Sequence, residues 1–466
     1  MRNLNIKTAL YRCCPGALRP VWDRIEASEL GYRLAKGAFW SLAGAVISRG
    51  LMLLAFILVA RLLGKEVFGE LGIIRSTAGM FGIFAGFGLG MTTTKHVAEL
   101  RSSDPERAGR IIALSNLVAV GTGCLISLLL FVFAPWLAAH TLNAPALGDP
   151  LRVGCLLVLL NTLNGVQTGT LAGFEAFKTI ARVNFFAGLV SFPILVGAAI
   201  WGGLPATIWG LVVTLAVQWT INHLSLRQVA ARASVPLRFR GCTREWAVLW
   251  HFSLPAALSG IMVGPASWCC AAMLVNQPTG YAEMGIFDAA NQWRMAILFI
   301  PVAVGQIALP VLANLNDSED RSKFRKVFKY NLLLNSGVAT AVAVPIAILA
   351  PWIMASYGPG FEGGVMALVL LVFTSVLMSV NSAIGQVIAS KGKMWAGFFL
   401  NALWASALLL FAWLLIDRGA TGLALAFLMS YGFHSFNVFI YSRRLTTPPT
   451  DLPEESPETC PGLPTC

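Results

Sequence analysis

Twelve apolar stretches of about 20 residues dominate this chain of 466 residues, and short polar or Gly- and Pro-containing breaks separate them. A helix needs about 20 apolar residues to cross a hydrocarbon core of roughly 30 Å. The stretches begin near Gly37, Leu71, Gly109, Leu151, Val183, Ala206, Ala247, Gly285, Tyr330, Gly364, Gly397 and Thr421. Because 56% of the residues are apolar and only 12% are charged, a water-soluble globule is excluded. The sequence predicts an all-α integral membrane protein with twelve transmembrane helices.

Lysine and arginine are distributed unevenly among the loops that would alternate between the two membrane faces. One set of loops, which includes the N-terminal segment, carries 27 of the 34 basic residues, and the opposite set carries only 4. Such an excess marks the cytoplasmic face. The segment before Gly37 lacks the apolar core of a cleavable signal peptide, so we expect a retained signal anchor and two cytoplasmic termini. The asymmetry accounts for the net charge of +12 without a nucleic-acid partner.

The second part of the chain repeats features of the first. An offset of 213 residues aligns the segment 70–74 with 283–287, and offsets of 212 and 216 align 40–42 with 252–254 and 134–136 with 350–352. Two halves of six spans insert with the same sense, so a pseudo-two-fold axis along the membrane normal would relate them and enclose a cleft suited to alternating access. The predicted parts are a basic cytoplasmic N-terminal segment 1–36, an N-terminal six-helix half 37–226, a basic cytoplasmic linker 227–246, a C-terminal six-helix half 247–441 and a disordered cytoplasmic tail 442–466.

Glycines recur at every fourth residue in two of the apolar stretches. A spacing of four residues places them on one face of a helix and clears that face of side chains. They are Gly82, Gly86 and Gly90 in the second stretch and Gly165, Gly169 and Gly173 in the fourth. The pattern favours close helix packing.

Motifs of enzymatic chemistry are missing from the sequence. It contains no phosphate-binding loop, zinc-protease motif, nucleophile elbow or dinucleotide fingerprint. The nine cysteines have no C-x-x-C spacing, and several lie inside apolar stretches, so neither a metal site nor a disulfide framework is indicated. The longest expected outer connection, 134–150, is too short for a catalytic domain. These features count against an enzyme and predict no catalytic residue, metal or cofactor.

Charged side chains inside the apolar stretches are the informative residues, because a charge at bilayer depth is costly and marks a pathway or a partner. Arg49 and Arg294 lie near the middle of their spans, where both can reach a central cleft. Arg75 and Asp288 occupy equivalent positions in the two halves. They are predicted to form an ion pair between the halves, or else to act in substrate binding, gating or coupling. Three arginines against one acid favour an anionic ligand such as phosphate.

Polar amides accompany these charges on the same helix faces. Asn291 lies three residues from both Asp288 and Arg294. Asn161, Asn164 and Gln167 line one side of the fourth span. These amides are candidates for contacts with sugar hydroxyls, and hydrogen bonds between helices are the alternative.

Five segments together resemble the Wzx-type oligosaccharide flippases of the multidrug, oligosaccharidyl-lipid and polysaccharide exporter superfamily. They are ARLLGKEVFGELG (60–72), GFGLGMTTTKHVAE (86–99), FSLPAALSG (252–260), GYAEMGIFDAANQWR (280–294) and SYGPGFEGG (356–364). The resemblance covers residues 33 to 445. It implies a bacterial inner-membrane protein that moves undecaprenyl-pyrophosphate-linked sugar units to the outer leaflet through a cationic cavity. Membrane lipids, a polysaccharide polymerase and glycosyltransferases are the partners it implies.

Two other functions stay open on the sequence alone. A cation-coupled drug or metabolite antiporter of the same superfamily would need an acidic inner site, for which Asp288 is the candidate. A membrane enzyme or scaffold of glycan assembly is the third possibility.

Overall fold

The computed structural model describes residues 29–237, 239–254, 257, 261–316, 321–390 and 394–446. Residues 447–466 of the predicted tail and residues 1–28 of the predicted N-terminal segment lie outside them, whereas residues 442–446, expected to be part of the disordered tail, are helical. The α-helices are α1 (Glu29–Gly86), α2 (Leu89–Leu100), α3 (Pro105–Trp136), α4 (Gly148–Gly173), α5 (Phe177–Arg232), α6 (Val263–Val275), α7 (Gly280–Asn316), α8 (Arg321–Ile348), α9 (Ala350–Ser356), α10 (Val365–Ser390), α11 (Met394–Leu415) and α12 (Gly419–Thr446). The described residues form no strand, and the expectation of an all-α protein is confirmed.

Glycines break the two longest helices, α1 and α5. Gly64 has φ of 78° and Gly203 has φ of 59°, and such values favour residues without a Cβ atom. The chain reverses at both breaks, and across the second a Cβ atom on Gly210 would lie 3.1 Å from Ala198 Cβ. The guanidinium of Arg75 lies 4.2 Å from the ring centre of Phe56, whereas a straight helix would separate these residues by about 28 Å. We call the segments 29–63 and 65–86 α1a and α1b, and 177–201 and 204–232 α5a and α5b.

Seven helical stretches of the described chain are long and apolar enough to cross a membrane. Two of them, Phe177–Arg232 and Trp395–Ser442, have 56 and 48 residues, which at 1.5 Å per residue exceeds two bilayer cores of about 30 Å each. Tryptophans that are more than half exposed lie near the helix ends, as in the aromatic belts at membrane interfaces. They are Trp136, Trp201, Trp352 and Trp413 at one end of the bundle, and Trp246, Trp250 and Trp395 at the other.

Small residues allow α2 and α4 to approach closely. A Cβ atom on Gly169 would lie 2.2 Å from the carbonyl oxygen of Gly90, and one on Gly173 would lie 2.9 Å from that of Thr94. The hydroxyl of Thr94 also donates a hydrogen bond of 2.9 Å to the carbonyl oxygen of Gly169. The close packing predicted from the glycine spacing is confirmed at Gly90, Gly169 and Gly173. The prediction is wrong at Gly82 and Gly86, where nothing lies within 4 Å of a Cβ atom and which a break after Gly86 separates from Gly90.

One end of the bundle is closed by a crossing of α1b and α7. A Cβ atom on Gly69 would lie 1.8 Å from the carbonyl oxygen of Tyr281, and one on Gly285 would lie 2.0 Å from that of Lys65. Neither position therefore accepts a side chain without movement of the backbone. We call this crossing, formed by Lys65, Gly69, Tyr281 and Gly285, the glycine end.

The opposite end of the bundle carries the connection between α5 and α6. Glu245 accepts hydrogen bonds from Arg107 Nε at 3.0 Å and from Arg110 Nε at 3.2 Å, both on the first turns of α3. A Cβ atom on Gly109 would lie 2.0 Å from the carbonyl oxygen of Pro236. These contacts hold the connection against α3, and we call this the linker end.

Candidate functional site

A cavity of about 590 Å³ lies in the interior of the bundle, with α1, α4, α5, α6, α7 and α12 around it. Its wall is mixed, with aromatic and aliphatic side chains between polar ones. Six of the eight residues predicted from the sequence line it, namely Arg49, Arg75, Asn161, Asp288, Asn291 and Arg294. We call this the central cavity.

Arg75 and Asp288 form an ion pair across the cavity wall. Arg75 Nη1 donates to Asp288 Oδ2 at 3.1 Å, and the two residues are 213 positions apart, which equals the repeat offset. The carboxylate is packed from behind by Gly72, where a Cβ atom would lie 3.3 Å from Asp288 Cβ. The ring of Phe56 supports the guanidinium from its other side. The pair joins α1b to α7 next to the glycine end.

Arg294 is a buried cation without an acidic partner in the described part of the chain. Its side chain is 5% exposed, and its guanidinium lies 4.7 Å from the ring centre of Phe427 on α12. Its Nε and Nη1 atoms have no hydrogen-bond partner among the described residues, and neither does Asn291 Oδ1. Buried polar atoms without partners are costly, so this corner of the cavity is suited to a ligand that accepts hydrogen bonds.

Arg49 projects from α1a and is accessible from the cavity. No ion pair to it is formed by the described residues. Among the described residues that line the cavity, three arginines face one aspartate, which leaves an excess of two positive charges. In a low-dielectric interior such an excess attracts anions strongly.

Two predicted residues, Asn164 and Gln167, do not line the central cavity. Asn164 donates to the carbonyl oxygen of Leu215 at 3.1 Å and accepts from Asn222 Nδ2 at 3.1 Å. Gln167 lies beside Trp219 and His223 on α5b, 3.4 Å from His223 Nδ1. Both amides thus bond between α4 and α5b, which is the alternative that the sequence left open.

Several lining residues were not predicted, although helical spacing pointed to some of them. Ser48, Met52 and Phe56 share the face of α1a that carries Arg49, at steps of three or four residues. Asn184 and Ser191 on α5a are seven residues apart and so repeat one face. Polar residues spaced in this way within an apolar stretch are the signal that could have found them.

The described residues contain no group of three or more His, Cys, Asp or Glu side chains that could hold a metal ion. The five described cysteines are all free.

Membrane-length helices around a charged interior cavity define an all-α membrane transporter of the multi-pass type. The profile of a family described as polysaccharide biosynthesis protein matches residues 34–316, and the chain belongs to this family. The resemblance to Wzx-type flippases is thereby confirmed, and the transporter is a protein of the inner membrane.

Relatives and solved structures agree with this assignment. The EPS I polysaccharide export inner membrane protein EpsE of Ralstonia nicotianae is 26% identical over 397 residues, covering 84% of this chain and 89% of that protein. The lipid III flippase of Escherichia coli is 23% identical over 414 residues, covering 85% of this chain and 95% of that protein. A multidrug resistance MATE family transporter of the MOP superfamily, solved in an inward-facing conformation, has the same fold. It aligns with a TM-score of 0.70 and 15% identity over 88% of this chain and 98% of that one.

Proposed function

We propose that this protein translocates a polyprenyl-pyrophosphate-linked oligosaccharide across the inner membrane for the synthesis of a cell-surface polysaccharide. The observation that carries the proposal is Arg294, a buried guanidinium in the central cavity with two nitrogen atoms that lack partners among the described residues. The names of the relatives, a polysaccharide export protein and a lipid III flippase, support the same substrate class.

The chemistry of the cavity suits a pyrophosphate head group. Guanidinium groups bind phosphate oxygens in a forked geometry, and the excess of two positive charges supplies the attraction. We propose that the amides of Asn161 and Asn291, which line the cavity, contact sugar hydroxyls. The polyprenyl chain would stay in the lipid, because an apolar chain gains little by leaving hydrocarbon for a cavity with charged side chains in its wall.

The proposed topology has twelve spans in two halves of six. Divided at Gly64 and Gly203, α1 and α5 supply four spans, and α6 supplies the described part of the seventh. Both termini and the linker 227–246 would be cytoplasmic, with the halves at 37–226 and 247–441. The glycine end then faces the periplasm, and the linker end faces the cytoplasm.

We propose that transport occurs by alternating access. The ion pair of Arg75 with Asp288 and the crossing of Gly69 with Gly285 would close the outer side in this conformation, and both would have to open for release. We propose that Asp288 acts as a gating residue. A cation-coupled antiporter fits less well, because Asp288 is the one acid among the described lining residues and Arg75 neutralises it.

Purified protein in liposomes tests the function directly. We expect a fluorescent polyprenyl-pyrophosphate-linked oligosaccharide, placed in both leaflets, to become almost wholly accessible to a membrane-impermeant glycosidase. Liposomes without protein should protect about half of it, since each leaflet holds one half. Transport of organic cations in place of this lipid would contradict the proposal.

Cysteine labelling tests the topology. In a cysteine-free background, single cysteines at Ser234 and at Ala146 are expected to be labelled from opposite sides of the membrane. Ser234 lies in the linker and Ala146 in the connection before α4, and both are exposed. An impermeant maleimide should reach Ala146→Cys in intact spheroplasts, and Ser234→Cys only after permeabilisation. Labelling of Ser234→Cys from outside would overturn the twelve-span topology.

A further inference from the structure

A second cavity of about 830 Å³ lies near the linker end and shares no lining residue with the central cavity. It lies among α3, α4, α5b and residues 234–237 and 239 of the linker. Most of its wall is apolar, with Ile112, Val120, Leu163, Leu226, Leu237 and Phe239 among the lining residues. Its volume is in the range of pockets that enclose a small-molecule ligand, roughly 300 to 1,000 Å³.

A basic side chain, Arg227, lies at one edge of this second cavity, with His223 beside it. His223 and Arg227 lie four residues apart on α5b and therefore on one helix face. No acidic side chain is among the described residues that line it. Arg227 is exposed, so its guanidinium is free to meet a head group at the membrane surface.

The walls of the second cavity are fixed rather than loosely packed. The contact of Gly109 with the Pro236 carbonyl and the ion pairs of Glu245 with Arg107 and Arg110 hold the linker against α3. Phe239 is nevertheless 64% exposed. The protein itself does not fill this apolar recess, and an aromatic side chain is exposed beside it. A void of this size loses packing contacts unless an apolar ligand occupies it.

We propose that the second cavity binds one anionic phospholipid of the cytoplasmic leaflet. The phosphate would lie at Arg227 and His223, and one acyl chain would follow the wall formed by Leu163 and Leu226. Charge complementarity favours this occupant, since basic pockets between helices on the cytoplasmic side bind anionic head groups. The placement in the cytoplasmic leaflet rests on the proposed topology, whereas the binding itself does not depend on transport.

Native mass spectrometry of the delipidated protein tests the site. With equimolar phosphatidylglycerol and phosphatidylethanolamine of identical acyl chains, we expect one retained phosphatidylglycerol per chain. Arg227→Gln should lower its retention about fivefold, as expected for one arginine at an anionic lipid surface. Leu163→Trp, which fills the apolar wall, should lower the retention of both lipids. Arg232→Gln is the matched control, because it removes a charge from the same helix outside the cavity.

Equal retention of the two phospholipids, or retention unchanged in both cavity variants, would overturn the proposal. Preferential displacement of phosphatidylglycerol by polyprenyl phosphate would also overturn it, because the cavity would then hold the carrier lipid. Size-exclusion profiles of the variants verify that they are folded. This experiment measures lipid binding and not transport, so a negative result would not contradict the proposed flippase function.

Discussion

Replacement of Arg294 by alanine is expected to lower the translocation rate in the liposome assay at least tenfold, while replacement by lysine lowers it less. A hydrogen bond to a charged group contributes about 1.5 to 3 kcal/mol, so the loss of a forked contact with pyrophosphate lowers the rate by tenfold or more. Lysine keeps the charge but loses the planar fork. Arg49→Ala should act in the same direction, because Arg49 supplies the second unpaired charge of the central cavity.

The matched control for these variants is Arg152→Ala. Arg152 lies outside the central cavity and pairs with Asp149 at 2.9 Å on an exposed turn of α4. Loss of Arg152 should leave translocation unchanged, since an exposed ion pair contributes little to the stability of the fold. Protein abundance must be measured in parallel. Wild-type rates for both Arg49→Ala and Arg294→Ala at normal abundance would eliminate the cavity as the route of the head group.

Loss of either partner of the Arg75 and Asp288 ion pair should inactivate the protein, whereas exchange of the two should partly restore activity. The side chains of Arg75 and Asp288 are 30% and 13% exposed. Removal of one partner leaves the other charge unpaired, at a cost of about 3 kcal/mol, which is the lower end of the range for buried ion pairs. The double variant Arg75→Asp with Asp288→Arg keeps the pair but loses the contact of the guanidinium with Phe56, and recovery should therefore be incomplete.

The exchange also separates gating from proton coupling. A coupling carboxylate would not tolerate relocation to the other half, and Asp288→Asn would then remove the pH dependence of transport without loss of folding. A double variant that is folded but inactive would refute the ion pair as the sole role of Asp288. A pH profile that Asp288→Asn leaves unchanged would exclude coupling through this residue.

Much of the architecture could be predicted because membrane constraints act locally along the chain. Most apolar stretches coincide with helices, although α1 and α8 begin eight and nine residues before the predicted starts at Gly37 and Tyr330. The repeat offset of 213 correctly paired Arg75 with Asp288. The orientation of Gln167 could not be predicted in this way. Spacing along α4 places Asn161, Asn164 and Gln167 on one face, but that face meets the central cavity at Asn161 and α5b at the other two. Which helix packs against a given face of α4 is a non-local property, and the periodicity of α4 alone does not determine it.

The tight crossing at Gly69 and Gly285 could not be predicted from the sequence either. Both glycines lie in stretches where several others do, and nothing near Gly79 or Gly82 would obstruct a Cβ atom, although their sequence context is similar. Only the path of the partner helix decides which glycine is indispensable.

The ion pair between equivalent positions has a consequence for the history of such a chain. In a dimer of two identical six-helix subunits, residues that meet across the symmetry axis are the same residue, so an arginine there would oppose an arginine and an aspartate would oppose an aspartate. An ion pair at that contact is possible only when each copy has its own coding sequence, in two genes or in one fused gene, so that the two can diverge. If the two halves arose by the proposed duplication, Arg75 and Asp288 differ at a position where a homodimeric ancestor would have had the same residue in both copies.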